Sequence, residues 1–172
     1  MGTPVVNIAD IELLPRPAAM APTGPAAERF DVRVGMIGPR VGAQKLGYNI
    51  TEVPSGKCAY PFHNHRVNEE MFFVLEGNGE VRIGDGRHTI RPGDFICCPP
   101  GGNESAHQII NTGAGALRYL AVSTKLTPEI AEYPDSGKFG VLAEFSAGAA
   151  EPARMFRYVG REDHAIDYWD GE

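Results

Sequence analysis

Between residues 30 and 124, the chain is divided into short runs of alternating apolar and polar residues, and glycine, proline or asparagine separates most runs from the next. Alternation with a period of two is typical of strands with one buried face, and frequent turn residues favour many short strands over long helices. The sequence therefore predicts an all-β sandwich or barrel. The predicted strands comprise residues 31–37, 45–53, 57–65, 70–75, 80–83, 88–91, 94–98, 107–111 and 117–123.

The regions on either side of this core differ from it in composition, so the chain is interpreted as one domain with three parts. Residues 1–29 hold five prolines among the first 25 positions and predict an extended N-terminal arm, whose apolar trio Ile11, Leu13 and Leu14 needs burial. Residues 30–124 form the barrel. Residues 125–172 lack a clear period and predict a tail packed on the barrel, anchored by Tyr168 and Trp169.

The segment from Pro61 to Glu70 carries the strongest functional signal. His63 and His65 are separated by one residue, so on a strand both imidazoles point to the same side of the sheet. Glu69 and Glu70 follow and compete as the carboxylate ligand, and His107 begins another predicted strand. Imidazoles and carboxylates are common ligands of divalent transition metals. The pattern indicates a metal site inside a β-barrel.

These residues resemble the two conserved motifs of the cupin superfamily. Residues 56–77 match the first motif, with six residues before His63, one more than the usual form, and four between His65 and Glu70. Residues 93–111 match the second motif through Gly93, Pro99, Gly101, His107 and Asn111, with three extra residues between Gly101 and His107. The extended sequence is similar to a small bacterial group of single-domain cupins that carries the label of sugar-phosphate isomerases.

The resemblance implies a cupin jelly roll, also called a double-stranded β-helix, and a set of metal ligands. The implied ligands are His63, His65, Glu70 and His107, which would hold one divalent transition metal per chain, with open positions for water or substrate. Manganese, iron, cobalt, nickel and zinc all suit these donors. Cupins of this type also pair their barrels, so we expect a homodimer.

The expected function is that of a metal-dependent enzyme acting on a small polar molecule by isomerase, epimerase or lyase chemistry. Glu69, when it is not a ligand, is the tentative catalytic base. One alternative is an iron-dependent dioxygenase, and another is a cupin that binds a small ligand or metal without catalysis. The extra residues before His107 lie at the turn that leads into the ligand strand, where they could change the mouth of the barrel.

Charge and composition exclude several other classes. A formal net charge of -6 lacks the basic field that nucleic-acid binders use, and residues 1–29 contain no apolar run typical of a signal peptide or membrane span. Three cysteines form no disulfide framework, so we expect a cytoplasmic protein. Lys45, Arg66 and Arg118 are candidate contacts for an anionic substrate, although no glycine-rich phosphate loop is present.

Overall fold

The computed structural model describes residues 4–145 and 154–172, and within them it confirms the all-β prediction. Every strand pairing is antiparallel. The strands are β1 (Leu14–Pro15), β2 (Arg33–Met36), β3 (Leu46–Val53), β4 (Asn64–His65), β5 (Glu70–Glu76), β6 (Gly79–Ile83), β7 (Gly86–Ile90), β8 (Phe95–Cys98), β9 (His107–Ile110), β10 (Leu117–Thr124), β11 (Glu129–Tyr133), β12 (Lys138–Phe145) and β13 (Arg154–Gly160). The helices are α1 (Pro25–Arg29) and α2 (Gly38–Val41), with single 3-10 turns at Ile8–Asp10, Ala18–Met20, Pro134–Ser136 and Glu162–His164.

The barrel consists of two sheets that share one apolar core. The larger sheet has the strand order β1-β2-β3-β10-β5-β8, and the smaller has the order β7-β6-β9. Val74 and Tyr119 of the larger sheet pack in the same buried cluster as Val81 and Ile109 of the smaller one. Inward residues alternate with outward residues along each strand, as the period of two in the sequence predicts.

The N-terminal arm lies on the outer face of the larger sheet. β1 pairs with β2, and Ile11 is buried against Ile37 and Ile50 in a second apolar cluster. Leu14, by contrast, keeps 53% of its surface exposed. The arm is less extended than its prolines indicate, because Pro25 occupies the first turn of α1, where a missing N–H costs nothing. The arm therefore buries part of its apolar surface on its own barrel.

The segment predicted as a single strand over residues 57–65 is instead irregular. Cys58 forms isolated bridges with Phe30 and Ile110, His63 forms one with His107, and only Asn64–His65 make a strand. The alternation of side-chain direction that a strand imposes therefore applies to His63 and His65, but it does not extend back through Tyr60.

The region after Thr124 is more regular than its sequence indicates. β11, β12 and β13 form a meander that joins β4 in a four-stranded sheet with the order β13-β12-β11-β4, which we call the C-terminal sheet. The prediction that Tyr168 and Trp169 anchor the tail is wrong, because they are 85% and 72% exposed. Among the residues that the structure describes, no helix is long and apolar enough to cross a membrane.

Candidate metal centre

Backbone pairing brings His63 and His107 side by side. The amide of His63 donates to the carbonyl of His107 at 3.1 Å, and the amide of His107 donates back to the carbonyl of His63 at 2.7 Å. Their ring centroids are 4.6 Å apart, and the His65 ring lies 5.0 Å from that of His63. Two short chain segments therefore place three imidazoles at one end of the barrel.

Glu70, the first residue of β5, supplies the carboxylate at the centre of these rings. Its Oε2 lies 3.0 Å from Nε2 of His107, 3.3 Å from Nε2 of His65 and 3.8 Å from Nε2 of His63. The backbone at Glu70 is fixed because β5 is a central strand, paired with β8 on one side and β10 on the other. Three ring nitrogens thus converge on a single carboxylate oxygen.

Three of the four predicted ligands form a compact group. Ligand atoms of His63, Glu70 and His107 all lie within 4.8 Å of one another, which is close enough to surround one metal ion. His65 contacts this group through Glu70. The structure therefore brings together all four residues that the sequence indicates, with His65 set farthest from the other two imidazoles.

An oxygen atom lies beside Nδ1 of each imidazole, as a hydrogen-bond partner for His63 and His107 and as a nearby carboxylate for His65. Nδ1 of His63 lies 2.8 Å from the carbonyl of Pro61, and Nδ1 of His107 lies 3.2 Å from the carbonyl of Ser105. Nδ1 of His65 faces the carboxylate of Glu129 at 3.6 Å. An Nδ1–H held by an oxygen leaves Nε2 as the free lone pair, the arrangement that metal-binding histidines adopt.

Burial and charge set the protonation of the group. Burial, reinforced by the neighbouring His107, lowers the pKa of His63 to about 4, so this imidazole is neutral at neutral pH. Burial would raise the pKa of Glu70, but the hydrogen bond to His107 and the nearby ring of His65 outweigh it and hold the pKa well below its usual range. Neutral imidazole and ionised carboxylate are the forms that coordinate cations.

The residues fit a divalent transition metal. Both ring nitrogens of His65 are buried without a hydrogen-bond partner, since Glu70 is not aligned with Nε2 for a hydrogen bond, and such an orphaned polar atom is costly unless a ligand satisfies it. Burial would lower the pKa of His65, but the carboxylates of Glu70 and Glu129 outweigh burial and raise it. A cation among these atoms would satisfy His65 and share the charge of Glu70.

The four residues open onto a cavity of about 240 Å³ inside the barrel. Apolar side chains such as Phe72 and Ile109 line part of it, and Asn49, Thr51 and Tyr60 supply polar groups. Burial raises the pKa of the Tyr60 and Tyr119 phenols, so both stay protonated and can donate hydrogen bonds. The cavity therefore suits a small polar molecule.

Comparison with known proteins agrees with this architecture. The cupin domain matches residues 49–123, a range that includes all four candidate ligands. Residues 49–123 form a cupin domain. An uncharacterized protein of Methanocaldococcus jannaschii is 33% identical over 61 residues, which are 36% of this cupin and 46% of that protein, so this chain spans about half the length of its curated relative.

Two solved structures resemble this cupin over most of its length. A proposed sugar phosphate isomerase from Acidithiobacillus ferrooxidans is 25% identical, with a TM-score of 0.62 over 73% of this chain and 76% of that one. A cupin-superfamily sugar phosphate isomerase from Silicibacter pomeroyi is 22% identical, with a TM-score of 0.76 over 97% of this chain and 98% of that one. The second likeness extends the shared fold to the arm and the C-terminal sheet.

Glu69 is placed away from the cupin cavity. Its side chain is exposed, its amide donates to the Thr124 hydroxyl, and its carboxylate lies 3.6 Å from the Cys97 thiol on the outer side of the sheet. Adjacent residues on a strand face opposite ways, so the inward position of Glu70 turns Glu69 outward. Of the two carboxylates that compete in the sequence, the structure brings only Glu70 to the histidines.

Glu129 is a site residue that the sequence does not reveal. Its buried carboxylate accepts the amides of Arg66, Val67, Asn68 and Ile130 as well as the Asn68 side-chain amide. It thereby holds the loop between His65 and Glu70 while it faces His65. Nothing in the local pattern of residues 125–133 indicates this burial, which arises from the pairing of β11 with β4.

The turn before His107 supports the segment that carries His63 and His65. The Gly101 amide donates to the carbonyl of His65 at 2.9 Å, and the Gly101 carbonyl accepts the side-chain amide of Asn64 at 2.8 Å. Asn64 also donates to Glu132 at 2.8 Å and is fully buried. The turn that contains the extra residues therefore fixes the backbone between His63 and His65.

Proposed function

We propose that this cupin is a metal-dependent enzyme that acts on a small polar molecule by isomerase, epimerase or lyase chemistry. The observation that carries the proposal is the convergence of three imidazoles and one carboxylate on a cavity that also presents the polar side chains of Asn49, Thr51 and Tyr60. The Acidithiobacillus ferrooxidans protein, a proposed sugar phosphate isomerase at 25% identity, supports the isomerase class.

His63, His65, Glu70 and His107 would hold the metal. A bound divalent ion supplies a Lewis acid that polarises a carbonyl or hydroxyl oxygen of the substrate. Glu70 would balance part of the charge of such an ion, and Pro61, Ser105 and Glu129 face the Nδ1 atoms of the three imidazoles. The apolar walls contributed by Phe72 and Ile109 exclude water from the reacting atoms.

Tyr60 is the residue that we assign to proton transfer at a substrate oxygen. It lines the cavity beside His63, with ring centroids 6.4 Å apart, and its raised pKa keeps the phenol protonated. Arg16 stacks on the ring with its guanidinium carbon 4.5 Å from the centroid, which fixes the ring plane. Glu69 lines no part of this cavity, so the tentative base is replaced by Tyr60 as the group to test.

The test is turnover and solvent exchange on a panel of sugars, sugar phosphates and keto acids in D2O, followed by proton NMR with each candidate metal. We expect deuterium to enter at carbon, and Tyr60→Phe to lower turnover at least about tenfold with unchanged metal content. Tyr48→Phe is the matched control, because Tyr48 packs in the outer apolar cluster. No exchange or turnover with any metal would contradict the proposal, and oxygen uptake dependent on ferrous iron would assign the cavity to dioxygenase chemistry.

We also propose that two copies of the chain form a homodimer. Met155, Tyr158 and Val159 are 53%, 44% and 54% exposed on β13, the edge strand of the C-terminal sheet, and such an apolar edge favours pairing. Light scattering should give the mass of two chains, and Val159→Glu should give that of one. A monomeric mass for the unaltered protein would contradict the dimer. Cytoplasmic location and the absence of a nucleic-acid partner stay predictions.

A further inference from the structure

A second cavity lies between the N-terminal arm and the barrel. It measures about 360 Å³, and its lining comes from α1, the arm, β9 and the start of β12, parts that are distant in the sequence. Arg16, Arg29 and Lys138 are the cations of this lining, and Gln108 and Ser136 add polar groups. We call this cavity the arm pocket.

The arm pocket concentrates positive charge on an acidic chain. Among the residues that the structure describes, Arg16, Arg29 and Lys138 have no carboxylate within 4.0 Å. The acidic lining residue, Asp135, is already engaged by Arg82, whose Nη1 lies 3.0 and 2.9 Å from its two oxygens. A local surplus of positive charge on a chain of net charge -6 indicates a binding site for an anion.

All three cations lie over aromatic rings, Arg29 with its guanidinium carbon 5.3 Å from the ring centroid of Phe30. Arg16 donates to the carbonyl of Ala59 at 2.9 Å and stacks on Tyr60, and Lys138 lies 5.4 Å from the ring centroid of Tyr133. Such contacts fix a long side chain before a ligand arrives, which lowers the entropy cost of binding. Arg16 and Lys138 are therefore partly buried and contact their neighbours, whereas Arg29 is more exposed.

The arm pocket and the metal cavity share a wall. Gln108 lines both, and its side-chain amide donates to the carbonyl of Tyr60 at 2.8 Å. Tyr133, which carries Lys138 on its ring, also stacks on His63 with centroids 6.1 Å apart. The arm pocket therefore lies next to the metal cavity, with Gln108 and Tyr60 between the two.

We propose that the arm pocket binds the phosphate group of a phosphorylated small molecule. A phosphate dianion offers several acceptor oxygens to the cations that line the pocket, and guanidinium groups favour phosphate through paired N–H donors. The further step, that this phosphate belongs to the substrate of the metal cavity, rests on the proposed function. The cations selected from the sequence, Lys45, Arg66 and Arg118, do not line the arm pocket, and Arg66 and Arg118 pair with Glu132 and Glu52.

The test is calorimetric titration of the full-length protein, as purified, with inorganic phosphate at low ionic strength. Three proteins are compared: the unaltered chain, the pocket variant R29Q/K138M, and the control variant K45M/R91Q, which removes the same charges from exposed positions outside the arm pocket. We expect the pocket variant to bind phosphate at least about tenfold more weakly, and the control to match the unaltered chain. Thermal unfolding and metal content of each protein confirm that the variants fold.

The outcomes separate this proposal from the proposed function. Equal phosphate affinity in all three proteins, or no binding in any, would overturn the arm pocket as a phosphate site, because phosphate bound at the metal would not distinguish the variants. Succinate binding as tightly as phosphate would overturn the choice of phosphate over carboxylate. A weakened pocket variant together with a protein that turns over no substrate would support the arm pocket and contradict the enzymatic proposal. Should R29Q/K138M fail to fold, the single variants K138M and K45M give the same comparison.

Discussion

The segment that carries His63 and His65 and the strands β11–β13 of the C-terminal sheet contribute differently to the metal centre. The segment supplies ligand atoms directly, and its i, i+2 spacing is visible in the sequence. Strands β11–β13 supply no proposed ligand, yet β11 pairs with β4 and brings Glu129 and Glu132 behind the ligands. The ligands are thus encoded locally, whereas their orientation depends on a region paired with them only in the folded chain.

A substitution in β11, which supports the ligands, should cause the largest loss in the free energy of unfolding. Glu129→Ala leaves several buried amides without an acceptor, so we expect the free energy of unfolding to fall by about 3–5 kcal/mol. Urea denaturation measures it. Glu12→Ala is the control, since Glu12 is exposed and should change stability by less than about 0.5 kcal/mol. Equal, small effects of the two substitutions would show that the C-terminal sheet is dispensable to the centre.

His63 should make the free energy of unfolding of the metal-free protein depend on pH. Because the pKa of His63 is about 4 when folded and about 6.5 when unfolded, the unfolded chain binds the proton first as pH falls. His63 should therefore remove up to about 3 kcal/mol of stability between pH 7 and pH 4. The lowered pKa of Glu70 acts in the same direction at lower pH, and the raised pKa of His65 opposes both.

The variant His63→Gln isolates this contribution. Denaturation at several pH values should show a shallower loss of stability in acid for His63→Gln than for the unaltered protein. His88→Gln, at an exposed position, should follow the unaltered protein. Parallel curves for all three proteins would mean that His63 titrates as an ordinary exposed histidine.

Asn64 contacts both regions. Of the substitutions at Glu129, His63 and Asn64, the one at Asn64 should have the smallest effect on the free energy of unfolding. Asn64→Ala removes the hydrogen bonds to Gly101 and Glu132, with an expected cost of about 1–3 kcal/mol. Because these bonds fix the backbone between two ligands, metal affinity should fall roughly tenfold or more. Competition with a chelator measures the affinity, with Asn103→Ala as the exposed control. Unchanged affinity would confine Asn64 to a role in folding.

The sequence predicts those parts of the centre whose signals are local. The spacing of His63 and His65 reflects strand geometry alone, and the turn residues mark the barrel strands. Glu129 carries no such signal, because its burial results from pairing with a strand far away in the chain. Arg29 and Lys138 are likewise ordinary surface residues in the sequence, and only the packing of the arm and β12 brings them together.

The choice between Glu69 and Glu70 as the carboxylate ligand also depends on strand pairing, although the two residues are adjacent in the sequence. Either residue satisfies the motif when strand register is uncertain by one position, and a shift of one residue exchanges the two faces. The pairing of Glu70 with Cys98 and Ser123 fixes the register and turns Glu70 inward.

The central claim is that His63, His65, Glu70 and His107 hold a metal ion, and elemental analysis tests it most directly. Protein purified without chelator or added metal should carry about one transition-metal ion per chain. His63→Ala and His107→Ala should lose most of that metal, whereas His88→Ala, at an exposed position, should retain it. Full stoichiometric metal in both His63→Ala and His107→Ala would contradict the assignment of the site.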